Sequence, residues 1–377
     1  MSIRHIHRAT LQKWLTEGAA IAGEELALVD VRSESAFAKG HPFFATNVPL
    51  ARLEKEARSF LPRKTVRTVL VDDGGSDAEE AAAILERLGY TDINILEGGV
   101  PGWMAGGENG LPTFDIPGII FSQSIRDTRG TPSISANELN ELYKAGADVV
   151  VLDTRTVEEF ESYHVPGARS LPGSEIIHRF LDYVPSPETF VVVSCAGLPR
   201  AIIGAQSLID AGVPNRVAFL EDGTSGWTRA GLELESGPVD RFDAPSGKAA
   251  AFGASHVQAL ADRVNIDRIS RDELAGWLAD ETRTTYVLDV RLAPEFGKRH
   301  FPGSVSAPGG QLLAVSHRSV AVRGARLVLV GDSDTVLTTT AYWLKQRGWD
   351  VRILPDALPK EATPPREAVR GLEPAHG

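Results

Sequence analysis

Short apolar runs along the chain end three times in the same polar signature. Leu26-Ala27-Leu28-Val29 leads into Asp30-Val31-Arg32, Val150-Val151-Leu152 into Asp153-Thr154-Arg155, and Val287-Leu288 into Asp289-Val290-Arg291. Each copy continues to a second apolar run that stops at a turn: Val69-Leu70-Val71 before Asp72, Val191-Val192-Val193-Ser194 before Cys195, and Val328-Leu329-Val330-Gly331 before Asp332. The turn residue follows the aspartate of Asp-x-Arg by 42 positions in the first two copies (Asp30 to Asp72, Asp153 to Cys195) and by 43 in the third (Asp289 to Asp332). Continuous apolar runs of this length predict buried strands of a parallel sheet, and the 3.6-residue spacing over 78–88, 200–211 and 336–347 predicts helices after the turns. The fold expected is α/β, three tandem domains, each a mainly parallel sheet flanked by helices, over 1–110, 131–236 and 266–358. Residues 106–133 and 237–254 read as linkers on their Gly, Pro and polar content, and 359–377 as a loose tail.

The copies share smaller marks. Glu159-Phe160 and His164-Val165-Pro166-Gly167-Ala168 follow the second Asp-x-Arg, Glu295-Phe296 and His300-Phe301-Pro302-Gly303-Ser304 follow the third, and the first keeps Phe37 and Gly40-His41. Asp153 and Arg155 recur in every copy, with or without a thiol, which points to bracing of the strand end. His164 and the tryptophans Trp103 and Trp227 read as packing groups.

Composition narrows the chemistry. The chain of 377 residues has 42% hydrophobic and 24% charged residues and no run apolar enough to cross a bilayer, so no membrane partner is expected. A net charge of −11 argues against nucleic acid as a partner. The start, Met1-Ser2-Ile3-Arg4-His5, lacks the apolar core of a signal peptide, and a cytoplasmic location is expected. The acidic turns Asp72-Asp73-Gly74-Gly75-Ser76-Asp77 and Asp332-Ser333-Asp334 lack the ligand spacing of a calcium loop. With no zinc pattern, phosphate loop or dinucleotide fingerprint, no metal or organic cofactor is implied.

Cys195 is the one cysteine, which rules out an internal disulfide and suits a reducing compartment. It opens Cys195-Ala196-Gly197-Leu198-Pro199-Arg200 between a predicted strand and a predicted helix. Free N–H groups, the helix dipole and Arg200 should favour a thiolate there. A thiol pKa lowered by roughly two units, about 2.7 kcal/mol, is the expectation, and it would make Cys195 a nucleophile.

Asp153-x-Arg155, Glu159-Phe160, His164 to Ala168, the 195–200 turn and Asp222-Gly223-Thr224-Ser225-Gly226-Trp227 together resemble the rhodanese-like sulfurtransferases, and weaker matches extend the resemblance over the flanking units. The resemblance implies that Cys195 is catalytic and carries sulfane sulfur as a persulfide. It also implies that Ala196, Gly197, Leu198, Pro199 and Arg200 hold the substrate, with Asp153 and Arg155 as structural support. Asp72 and Asp332 stand at the cysteine position of the outer units, which are then inactive. A small-molecule donor such as thiosulfate and an external acceptor follow, whether cyanide, a small thiol or another protein. A sulfur-carrying or regulatory module with little turnover is the alternative. Phosphatase or arsenate reductase chemistry is a further one, although those enzymes resemble Cys-x5-Arg and this turn is Cys-x4-Arg.

Overall fold

The computed structural model describes residues 3–17, 24–105, 111–113, 116–184, 186–239, 244–359 and 361. It contains three sheets built to one plan. In the middle sheet the strands lie in the order Ser133–Ile134, Val217–Leu220, Phe190–Ser194, Val149–Asp153 and Arg169–Ser170, all parallel. The third repeats it with Asp267–Arg268, Asp350–Ile353, Arg326–Val330, Thr285–Asp289 and Val305–Ser306. The first has Arg4–Ile6, Ile93–Leu96, Arg67–Val71 and Leu26–Asp30, with Thr46–Asn47 against the last of these. Its edge also takes Val322–Arg323 from the third unit, paired antiparallel to Ala27 and Leu26. Every residue of Leu26–Asp30, Phe190–Ser194 and Arg326–Val330 is buried, as expected of strands covered by helices on both faces.

Strand register fixes which turn positions correspond. Asp30 pairs with Val71, Asp153 with Ser194 and Asp289 with Val330. The residues that follow are Asp72, Cys195 and Gly331. Asp332 is therefore not at the cysteine position, contrary to the sequence expectation; it matches Ala196 and Asp73. The error came from counting Gly331 as strand, since a glycine at a strand end carries no signal of its own. The third turn is also shorter: its helix begins at Asp334, whereas the others begin at Asp77 and Pro199.

Both expected linkers carry helices. Ile116–Arg129 has Pro117 in its first turn, where a missing N–H costs nothing, and buries Gly118, Ser122 and Ile125 on one face. Gly247–Val264 is capped by Ser246, whose side chain accepts from the Ala249 N–H, and is rich in alanine, the strongest helix former. The Pro and Gly that read as breakers mark helix starts here. Apart from 359 and 361, the expected tail lies outside the described residues.

These two helices pack against helix Pro199–Ala211, and Asp334–Gln346 of the third unit is hydrogen-bonded to it; only Pro199, Arg200 and Ile209 of it are not fully buried. Trp343 Nε1 donates to Ser207 Oγ at 2.8 Å and Tyr342 Oη to Asp210 at 2.7 Å. One apolar cluster joins Leu70, Val193 and Leu329, a residue from the centre of each sheet. Among the described residues no helix is long and apolar enough to cross a membrane.

Candidate active site

Cys195 sits at the carboxyl end of Phe190–Ser194, where an open parallel sheet presents its sites. The short helix Gly223–Arg229 holds the turn from behind. Thr224 N donates to the Cys195 carbonyl at 2.9 Å, and Ser225 binds the Ala196 carbonyl through N at 3.2 Å and Oγ at 2.8 Å. Only glycine fits at the start of that helix. Gly223 has φ +52°, and a Cβ there would lie 1.9 Å from the Cys195 carbonyl oxygen.

The backbone N–H groups of Gly197 and Ala201, two and six positions on, pull the Cys195 thiol towards its anion. The first unit reproduces this around an aspartate side chain. Asp72 Oδ1 accepts from Gly74 N at 2.7 Å and Oδ2 from Ala78 N at 3.2 Å, again two and six positions on. The two turns are thus the same nest of amides, one around a carboxylate and the other around a thiol.

Asp153 takes Arg155 in a two-pronged grip: Oδ1 accepts from N and Nε at 3.0 Å each, and Oδ2 from Nη2 at 2.9 Å. The Asp30–Arg32 and Asp289–Arg291 pairs are built alike. His164 stacks on Phe160 with ring centroids 3.8 Å apart, as His41 does on Phe37 at 3.9 Å and His300 on Phe296 at 4.7 Å. Trp227 is buried and donates to the Glu233 carbonyl at 2.8 Å.

Two expectations change. Cys195 is 1% exposed, beneath the half-buried Ala196, Gly197 and Leu198. Burial pushes its thiol above the ordinary range, although the Arg200 charge and the Gly197 and Ala201 N–H groups pull the other way. The sequence reveals the sign of the helix field; it does not reveal how much water the sulfur loses. Arg200, read as the group that holds a donor anion, instead has both Nη atoms on Glu159, at 2.5 and 2.7 Å. Burial disfavours the Glu159 carboxylate, but Arg200, the Thr156 N–H and Arg155 outweigh it and hold the group at about 2.

Glu159 was overlooked as a site residue. Its signal was in plain view: Thr156 and Glu159 form a capping box at the start of helix Val157–Ser162, which aims the carboxylate back at the turn. Gln311, in helix Gly309–Ala314 of the third unit, also donates to Glu159 at 3.3 Å, a contact no local pattern foretells. A narrow cleft beside Pro199, Arg200 and Ile203 is closed on its far side by Gly310 and Leu313 of the third unit. Among the described residues no group of three or more His, Cys, Asp or Glu could hold a metal.

Comparison with known proteins places this geometry. The Rhodanese-like domain profile matches residues 9–106 and 135–230, together half of the chain. The crystal structure of a thiosulfate sulfurtransferase from Pseudomonas aeruginosa superposes with a TM-score of 0.86 at 41% identity, covering 97% of this chain and 70% of that one. An HTH-type transcriptional regulator of Mycobacterium tuberculosis is 33% identical over 125 residues, 31% of this chain and 52% of the relative, so the chain spans about half the length of that curated protein. The uncharacterized protein YibN of Escherichia coli is 32% identical over 101 residues, 26% of this chain and 69% of its own. Matched over two stretches and superposed over nearly its whole length on a sulfurtransferase, the chain belongs to the family of proteins built from rhodanese-like domains.

Proposed function

We propose that the protein moves sulfane sulfur from an anionic donor such as thiosulfate to an external acceptor, with Cys195 of the middle unit as the nucleophile. The Cys195 thiolate attacks the outer sulfur of thiosulfate. An S–S bond to Sγ forms, the bond between the two donor sulfurs breaks, and its electron pair leaves on sulfite. An acceptor such as cyanide or a thiolate then attacks the terminal sulfur of the persulfide and regenerates the Cys195 thiolate, a two-step covalent cycle. With no second cysteine in the chain, the acceptor comes from outside.

The observation that carries this reading is the shared nest. The same +2 and +6 amides that hold the Asp72 carboxylate face the Cys195 sulfur, so the turn is preorganised for negative charge that develops during transfer. The outer units are proposed to be inactive. Asp72 fills its nest with its own carboxylate, and the third unit has Gly331, with no side chain, at the cysteine position of a shorter turn.

Incubation with thiosulfate should add the mass of one sulfur to the protein and none to Cys195→Ser, and cyanide should then release thiocyanate. Absence of the adduct with any sulfane donor would sink the proposal, and loading without turnover would assign the protein to sulfur carriage. Because burial raises the thiol, the loading rate should climb with pH through and beyond the ordinary thiol value of about 8.5. A rate already flat by about pH 7 would contradict this.

A further inference from the structure

The arginine of Asp-x-Arg is bound alike in the three units except at one atom. In each, Nη2 donates to a backbone carbonyl eight residues on, that of Gly40, Tyr163 or Arg299. Nη1 is where they part. Arg32 Nη1 donates to Asp73 at 3.2 Å, and Arg291 Nη1 to Asp332 at 3.5 Å. By sheet register both aspartates are the second residue of their turn, one past Asp72 and Gly331. The middle unit has Ala196 there, and Arg155 Nη1 has no hydrogen-bond partner although its side chain is 0% exposed. The Tyr163 ring, 4.8 Å from the guanidinium carbon, offers an aromatic face and no lone pair.

A buried charged donor without an acceptor is among the costlier defects a fold can carry, and two of three copies of this framework avoid it with a carboxylate. We propose that Arg155 Nη1 is the docking point for a sulfur oxyanion, the sulfonate end of thiosulfate before transfer and sulfite after it, seated over Ala196 where the outer turns place their own acid. This inference rests on the sulfurtransferase reading above and adds a specificity element to it. Both Nη atoms of Arg200 are turned to Glu159, whereas Arg155 Nη1 is buried with no acceptor of its own. The oxyanion it holds is the group that departs with the electron pair when Sγ takes the outer sulfur. Donors without a charged end make no use of it.

The test compares loading of the full chain by thiosulfate and by an uncharged organic trisulfide. Ala196→Asn supplies a neutral acceptor for Nη1, whereas Ala196→Leu has similar bulk and none. Ala196→Asn should shift the ratio of the two rates at least tenfold towards the trisulfide, through a higher KM for thiosulfate, and Ala196→Leu less than threefold. Equal shifts in both variants would mean bulk alone and overturn the assignment. Independently of transfer, selenate soaked into crystals of Cys195→Ser should give an anomalous peak within hydrogen-bond distance of Arg155 Nη1. No peak there at saturating selenate overturns the subsite while leaving Cys195 chemistry standing; a peak without loading from any donor keeps the subsite and removes the transferase.

Discussion

Gly223 and Gly99 are the same residue in two settings. Each has positive φ, +52° and +54°, and each would drive a Cβ into the carbonyl of the turn residue, to 1.9 Å from Cys195 O and 2.4 Å from Asp72 O. Gly223→Ala and Gly99→Ala should therefore destabilise the fold by comparable amounts, about 1–3 kcal/mol, as a strained backbone must shift to relieve the clash. Their effects on chemistry should separate. Only Gly223→Ala moves the thiol relative to its amides, and it should slow thiosulfate loading more than tenfold while Gly99→Ala leaves the rate near that of the parent. Urea midpoints and mass-spectrometric loading rates measure the two effects. If Gly99→Ala slowed loading as much as Gly223→Ala does, the first unit would have a part in the reaction that its carboxylate-filled nest does not allow.

At the scale of elements, the turn is held between two helix starts. Helix Val157–Ser162 offers Glu159 from its first turn, and helix Pro199–Ala211 offers Arg200 from its own. Held at about 2 against an ordinary 4.5, Glu159 favours the folded chain by roughly 3 kcal/mol above pH 4.5, and that contribution fades as pH falls through about 2. Glu159→Gln removes the charge and leaves the Arg200 guanidinium without its counterion, at a cost of about 3–5 kcal/mol near neutrality. The gap between parent and variant in urea unfolding should shrink as pH drops from 7 towards 2.5, because below about 4.5 the unfolded parent takes up a proton that the folded carboxylate resists. A gap of the same size at both ends would show that the pair contributes through packing and not charge. The strands, Asp-x-Arg ends and following helices were legible in the sequence because apolar runs and helical spacing are local signals. The Glu159–Arg200 pair was half legible: the capping box is local, and its partner follows the neighbouring strand, 41 positions on. Helices Ile116–Arg129 and Gly247–Val264 were misread because Pro and Gly at a helix start look like Pro and Gly in a loop.

Seen whole, the molecule does not divide where its repeats do. Val322–Arg323 extends the first sheet, and Glu25 of the first unit accepts from Thr284 N and Oγ1 at 2.7 and 2.5 Å and from Arg63 at 2.8 Å. Tyr286 Oη donates to the Phe60 carbonyl, and Trp343 is wholly buried against the helix that follows Cys195. None of this was legible in the sequence, where each repeat reads as a self-sufficient domain, since contacts between units leave no periodic mark. The expected consequence is cooperative unfolding. Cys195 makes this measurable: as the single thiol it reports opening of the middle unit alone, while the tryptophans, Trp14 and Trp103 in the first unit, Trp227 in the middle and Trp277, Trp343 and Trp349 in the third, report all three. In urea, labelling of Cys195 by a thiol reagent and the loss of tryptophan fluorescence should trace one transition. Trp343→Ala, a large truncation in the third unit costing about 3–5 kcal/mol, should move both curves together to lower urea. Were thiol labelling to keep its midpoint while fluorescence shifted, the middle unit would be unfolding on its own, and the shared core would not couple the thiol to the unit behind it.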